Sequence, residues 1–260
     1  METKIQFKKY SGNGNDFVVL DHPKFPITEE LVKNLCSRHF GVGADGVLVL
    51  TSEEGFDGRM SIFNADGSEA EMCGNGIRCL VTFLDDSKAA KKDSYKIKTM
   101  NGAYEVTRKD GAFAVEMSEV KDKNIYDLSI FNEYNNVFYV NTGVPHLVFH
   151  VHDVKRIDLK SRAPQYRFHK LFPNGTNVIF EQILEGEKTA YVRTYERGVE
   201  DETFSCGTGL TATGLALNHW KGWSGNITLK TLGGTQHVFI GEKIFYSGEV
   251  KFCFAGEFAP

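Results

Sequence analysis

Met72-Cys73-Gly74-Asn75-Gly76 and Ser205-Cys206-Gly207-Thr208-Gly209 are two forms of one five-residue pattern in a chain of 260 residues. Each cysteine closes a polar loop and opens an apolar segment. After the first, Ile77, Leu80, Val81 and Leu84 share one face of a 3.6-residue period. After the second, Leu210, Gly214 and Leu217 repeat the spacing with smaller residues between them. The upstream context repeats as well. The alternating run 59–63 leads into Asn64-Ala65-Asp66-Gly67-Ser68-Glu69 before Cys73, and the run 189–195 leads into Glu196-Arg197-Gly198-Val199-Glu200 before Cys206. Strand, polar turn, cysteine, glycine and helix therefore occur twice, and a duplicated domain with one cysteine in each half is the simplest reading.

A thiol at such a place has a chemical use. The first turn of a helix leaves N–H groups without intrahelical partners, and the macrodipole puts partial positive charge there. Glycines beside the cysteine let an anion approach the backbone. A helix terminus can stabilise a negative charge by up to about 2 kcal/mol, against about 1.4 kcal/mol per pKa unit, so a thiol that ordinarily titrates near 8.5 reaches a mixed population near neutral pH. Two facing thiolates would repel, so a pair shares one proton and titrates as a unit. One thiolate and one thiol are what stereoinversion at an acidic carbon needs, a base on one face and an acid on the other. A single Cys-Gly-x-Gly is usually structural; its repetition in matched context favours the functional reading.

Composition narrows the field. The chain fits one large domain or two of about 130 residues. Its 41% hydrophobic and 25% charged residues are ordinary for a soluble globular protein. A net charge of −4 argues against nucleic acid, whose phosphates call for Lys and Arg. The sequence shows neither a run of membrane-span length nor a signal-peptide core, so we expect no membrane partner and a cytoplasmic location. Five unevenly spaced cysteines argue against a disulfide framework. Cys36 and Cys253 read as core residues, and Cys79 faces away from Cys73.

Taken in order, strands are expected at 5–10 and 17–20 around a turn at 11–16. A helix capped by Thr28 should bury Leu31, Val32 and Leu35 and stop near His39-Phe40. Gly41-Val42-Gly43-Ala44-Asp45-Gly46 spells a dinucleotide fingerprint, but a helix precedes it and the strand 47–50 follows. The order is reversed, and the cofactor reading is rejected. The run at 88–92 reads as the solvated end of a helix. Strands at 95–99, 103–108 and 113–116 follow, then a polar boundary segment at 118–136. The second half offers strands at 137–140 and 147–151 around a turn at 141–146, a basic solvated helix within 156–170, and strands at 178–180, 227–232, 235–240, 243–246 and 249–254. His150 and His152 share a strand face, but no third ligand lies near, so no metal is expected.

With both cysteine units read, the chain resembles the diaminopimelate epimerase family. The likeness is carried by Gly14-Asn15-Asp16-Phe17, Arg38-His39-Phe40-Gly41 through Gly46, Phe63-Asn64-Ala65-Asp66-Gly67-Ser68, Met72-Cys73 through Cys79, Pro145-His146, Asn177-Val178, Tyr195-Glu196-Arg197-Gly198 and Cys206-Gly207-Thr208-Gly209. These lie in order along nearly the whole chain. The resemblance implies an α+β fold of two pseudo-symmetric domains, each a curled, barrel-like mixed β-sheet around a central helix. We expect one domain at 1–118 with 250–260 and the other at 119–249. It implies cofactor-independent epimerisation of LL-2,6-diaminopimelate to meso-diaminopimelate, a precursor step for lysine and peptidoglycan, and a homodimer.

By the same likeness, Cys73 and Cys206 are the acid/base pair, with His146 and Glu196 biasing their pKa values. The N–H groups of Gly74, Asn75, Gly207 and Thr208 would hold the reacting carboxylate, and Asn15, Asn64, Asn177, Glu196 and Arg197 the amino groups and distal carboxylate. An Arg for the far carboxylate and amide oxygens for ammonium groups suit a substrate with two zwitterionic ends. Two positions depart from the pattern: Val144, where many relatives carry Asn, and Gly46, where some carry Gln. The alternatives are a pyridoxal-independent racemase of another amino acid on the same fold, and a non-catalytic amino-acid-binding relative. Proline racemases and phenazine-type isomerases usually show His after Cys-Gly or lack one cysteine, whereas Asn75 and Thr208 follow here.

Overall fold

Short strands, some alternating and some continuously apolar, are the commonest regular structure of this chain. The computed structural model describes residues 4–87, 91–117, 120, 126 and 128–259. It divides into two compact units, Met1–Val115 with Ser247–Pro260, and Glu116–Tyr246.

In the first unit, β1 (Ile5–Gly12) and β2 (Asn15–Asp21) form an antiparallel hairpin. Its loop is only Asn13-Gly14, with φ of 53° and 86°, the left-handed pair that a two-residue hairpin requires. The expected turn is shorter than 11–16 because Ser11 pairs with Asp16 and Gly12 with Asn15. Next comes α1 (Glu29–Cys36), whose N-cap Thr28 accepts from the Leu31 N–H at 3.2 Å. It ends before His39-Phe40. The chain doubles back so that the N–H groups of Gly43 and Ala44 satisfy the carbonyls of Leu35 and Cys36 at 2.9 and 3.1 Å, which closes the last turn early. β3 (Gly46–Thr51) runs parallel to β2 and antiparallel to β4 (Gly58–Asn64). The short β5 (Glu69–Ala70), not foreseen from the sequence, pairs with β4. After α2 (Gly74–Ser87), β6 (Ser94–Thr99) runs parallel to β4, followed by antiparallel β7 (Gly102–Lys109) and β8 (Ala112–Glu116). The last strand of the chain, Val250–Phe258, returns to pair with β1.

The second unit repeats this sequence of pairings. β9 (Val137–Asn141) and β10 (Pro145–His150) are antiparallel. α3 (Leu159–Arg167) stands where α1 stood, and β11 (Asn177–Leu184) runs parallel to β10. β12 (Thr189–Glu196) is antiparallel to β11, and the short β13 (Asp201–Thr203) pairs with it as β5 does with β4. α4 (Gly207–Lys221) matches α2, β14 (Gly225–Thr231) runs parallel to β12, and β15 (Gly234–Ile240) closes antiparallel. The units are pseudo-symmetric in topology, and the fold is α+β.

Each unit places one helix among its strands. α2 packs against β1, β2, β3, β4 and β7, and α4 against β9, β10, β11, β12 and β15. Because strands meet them on several sides, both helices are buried around most of their circumference rather than along one stripe. In α4 this closeness needs small residues: a Cβ on Gly214 would lie 2.8 Å from a Val238 methyl.

Several sequence expectations change. Cys253 is exposed, as are its neighbours Phe252 and Phe254, because the terminal strand shows most of its residues to solvent. Cys36 is buried as expected. The basic stretch 156–170 is not simply solvated. α3 buries Leu159, Ala163 and Tyr166 in an aromatic cluster with Phe131, Phe149, Phe172 and Phe180. Phe131 belongs to a short 3-10 turn, Leu128–Phe131, inside the segment expected to be irregular. Residues 88–90 of the charge run, and 118, 119, 121–125 and 127 of the boundary segment, lie outside the described residues. The turn expected over 141–146 gives way to β10 at Pro145, so His146 sits in a strand opposite Val140 and Asn177.

Candidate active site

Cys73 stands immediately before α2: its carbonyl accepts the Ile77 N–H at 2.9 Å, and its sulfur accepts the Gly76 N–H at 3.4 Å. Gly74 and Asn75 are thus the first two residues of the helix, where N–H groups point out of its end. The half-buried thiol donates to the Asn15 amide oxygen at 3.8 Å. That same oxygen accepts from the Asn75 side-chain nitrogen at 3.4 Å. Asn15, Cys73 and Asn75 are therefore together. Asn64 ends β4, opposite Gly46 of β3; its amide nitrogen donates to the Ser68 hydroxyl at 3.0 Å.

Two arginines support this corner. Arg78 is fully buried, donating to the Asn75 side-chain oxygen at 2.7 Å, the Asn13 side-chain oxygen at 3.3 Å, and the carbonyls of Gly248 and Gly74 at 2.6 and 3.2 Å. Arg38 grips both Asp16 oxygens at 3.1 and 2.8 Å and an Asp45 oxygen at 2.7 Å. The buried Lys9 ammonium reaches Asp16 at 2.7 Å and also the Gly43 carbonyl. Burial would raise the Asp16 carboxyl, but the hydrogen bonds and charges of Arg38 and Lys9 outweigh it and bring it down to about 2. The other Asp45 oxygen accepts from the Asn15 amide nitrogen at 2.9 Å and the Asp16 N–H at 3.1 Å. The glycine-rich run 41–46 thus carries Asp45, which holds Asn15.

In the second unit, Cys206 is the N-cap of α4, with φ −123° and ψ 100°, and its carbonyl accepts the Leu210 N–H at 2.8 Å. Gly207 and Thr208 open the helix. The Cys206 sulfur lies 3.5 Å from the Thr208 hydroxyl. Glu196 ends β12: burial raises its carboxyl, and the influence of the Thr203 hydroxyl and the Cys206 thiol opposes the rise. A Cβ on Gly207 would lie 2.8 Å from the Tyr246 ring, which fixes glycine at this helix start.

Asn177 opens β11. Its amide nitrogen donates to the Pro145 carbonyl at 3.0 Å, and its oxygen accepts the Arg197 N–H at 2.7 Å. The Arg197 guanidinium reaches the Asn174 carbonyl at 2.9 Å. Arg167 of α3 clamps Glu200 through two nitrogens at 2.7 and 3.1 Å, and Glu200 accepts the Gly198 N–H at 3.0 Å. The turn that presents Arg197 is therefore braced from below. His146 is wholly buried, and neither ring nitrogen has a hydrogen-bond partner among the described residues. Burial and the Arg197 charge push it down to about 3, so the ring is neutral. His150, by contrast, is tied to the buried Glu181 at 2.7 Å.

The sequence of the chain matches the model of one family, diaminopimelate epimerase, over residues 7–122 and 138–253. The chain belongs to the diaminopimelate epimerase family. It is an isomerase. A diaminopimelate epimerase of Methanocella arvoryzae is 41% identical over 98% of this chain and 97% of its own. One of Flavobacterium psychrophilum is 36% identical over 96% of this chain and 98% of its own. A phenazine biosynthesis protein of the PhzF family from Enterococcus faecalis, 15% identical, shares the fold with a TM-score of 0.74, covering 98% of this chain and 99% of its own.

Gly46, one of the two departures from the family pattern, has a local cause: a Cβ there would lie 2.6 Å from the Phe63 carbonyl oxygen, so this backbone accepts no side chain. Val144, the other, precedes Pro145 in the short link between β9 and β10. Among the described residues, no cluster of His, Cys, Asp and Glu could hold a metal ion, and no helix is long and apolar enough to cross a membrane.

Proposed function

We propose that the protein interconverts LL-2,6-diaminopimelate and meso-diaminopimelate without a cofactor, as a two-base epimerase. The observation that carries this reading is the matched placement of Cys73 and Cys206, each at the start of its unit's central helix, with the Cys73 thiol on the Asn15 oxygen and the Cys206 sulfur 3.5 Å from the Thr208 hydroxyl. One cysteine, as thiolate, takes the α-proton. The electron pair left on carbon delocalises into the carboxylate, which the N–H groups of Gly74, Asn75, Gly207 and Thr208 receive. The other cysteine, as thiol, delivers its proton to the opposite face. Thiol and thiolate exchange places, and the reverse reaction starts from that state.

Asn15, Asn64, Asn177, Glu196 and Arg197 are assigned to the substrate's amino groups and distal carboxylate. His146, uncharged, and Glu196 set the electrostatic setting of the sulfurs. The relatives' names and the braced Arg197 turn favour a diamino diacid over a mono-acid amino acid. A cytoplasmic homodimer is part of the same proposal, with sedimentation velocity as its measurement.

The test is turnover of LL-diaminopimelate beside a panel of L-amino acids, with solvent deuterium followed into the α-position. Cys73→Ala and Cys206→Ala should each abolish epimerisation in both directions. Turnover of another amino acid with none of the diamino diacid would replace the substrate, and full activity in either alanine variant would end the two-cysteine mechanism.

A further inference from the structure

Cys73 is under two opposed influences. The Gly76 N–H, donating to the sulfur at 3.4 Å, and the N-terminus of α2 favour the thiolate. The Asn15 side chain works the other way only if its oxygen, and not its nitrogen, faces the sulfur. An amide is nearly symmetrical in shape, so its orientation is set by its partners. Here both ends are specified by charge. The Asp45 carboxylate can only accept, so the atom facing it at 2.9 Å must be the Asn15 nitrogen. Asp45 is in turn held by Arg38, which can only donate. On the far side, the fully buried Arg78 fixes the Asn75 oxygen at 2.7 Å, which turns the Asn75 nitrogen toward Asn15 and calls again for an oxygen. Two chains of polarity, one from each arginine, meet at one amide.

We propose that Asp45 and Arg78 are positioning residues for proton transfer at Cys73: they lock the Asn15 amide with its oxygen against the sulfur, and so hold Cys73 as a thiol against the pull of the helix end. Other ionisable groups near this corner are Asp16 and Lys9 from β2 and β1, Arg38 from the loop after α1, and Cys79 from α2. Burial keeps Cys79 protonated, and the carboxylates Asp16 and Asp45 offset the cations Lys9 and Arg38; the buried Arg78 cation adds to the pull toward thiolate that the Asn15 oxygen opposes. The assignment of Cys73 as an acid/base residue rests on the proposed function; the locked amide does not.

The experiment reads Cys73 directly. Iodoacetamide alkylation is followed against pH by peptide mass mapping at Cys73, in a Cys253→Ser background because Cys253 is exposed. Asp45→Ala frees the amide and should move the half-point of the Cys73 profile down by about half to one pH unit, the worth of one neutral hydrogen bond. Asn15→Ala should move it by a similar amount, and Asp45→Ala in the Asn15→Ala background should add nothing, because Asp45 acts through Asn15. An Asp45→Ala profile that superimposes on the parent, moves upward, or keeps its full shift without Asn15 overturns the proposal. Should Cys73→Ser instead retain full epimerisation, the proposed mechanism fails while the alkylation result still stands or falls by itself.

Discussion

Asp16→Asn keeps the shape of a buried side chain and removes the charge at the centre of the network beneath Asn15. Burial alone would raise the Asp16 carboxyl, but hydrogen bonds and charge from Arg38 and Lys9 bring it from 3.8 down to about 2. Because the folded value lies below the unfolded one, the carboxylate stabilises the fold above the unfolded value. That contribution is lost as pH falls through the folded value. Nearly two units at about 1.4 kcal/mol each give about 2.5 kcal/mol at neutral pH. With a side chain only 16% exposed, solvent screens little of this. Linkage removes roughly half of it by about pH 3. Urea unfolding followed by far-ultraviolet circular dichroism, from pH 7 down to pH 3, measures both proteins. The variant should be less stable by at least about 2 kcal/mol at pH 7, since Lys9 also loses its buried counter-charge, and the gap should narrow by about 1 kcal/mol toward pH 3. A gap of equal size at both ends of the range would refute the electrostatic account even if the variant were unstable.

Other outcomes follow from single contacts. His146 is held neutral down to about 3 by burial and Arg197, so below 6.5 the unfolded chain takes a proton that the folded one refuses, and stability falls from pH 7 toward 5. His146→Leu should remove about 2 kcal/mol of that loss at pH 5, and an unchanged slope would contradict the buried neutral ring. Arg167→Met releases Glu200 from its clamp at 2.7 Å and loosens the Arg197 turn. Steady-state kinetics should show KM for diaminopimelate rising roughly tenfold with kcat nearly constant; a fall confined to kcat would mean that the brace serves the reaction centre instead. Gly207→Ala sets a methyl 2.8 Å from the Tyr246 ring and should cost about 1–3 kcal/mol in thermal unfolding. Parent-like stability there would show that the ring yields freely.

The duplication was legible in the sequence, because the hydrophobic period changes from two to 3.6 at the same place in both halves and a cysteine-glycine pair marks the change. That was enough to place α2, α4 and the strands before them, and to single out Cys73 and Cys206. The two-residue strands β5 and β13 were not visible, since so few residues carry no period. Cys253 misled because a strand's alternation tells which residues share a face, and not whether anything covers that face. Nor could the string show what Asp45, Arg38, Arg78 and Arg167 do. Asp45, Arg38 and Arg167 act on partners distant along the chain, such as Asn15 for Asp45 and Glu200 for Arg167, and Arg78 ties Asn75, three residues back, to Asn13 and Gly248. Periodicity is a local property and survives in one dimension. The orientation of an amide or the charge state of a buried ring depends on the atoms that folding brings within about 3 Å, and these have no fixed spacing in sequence.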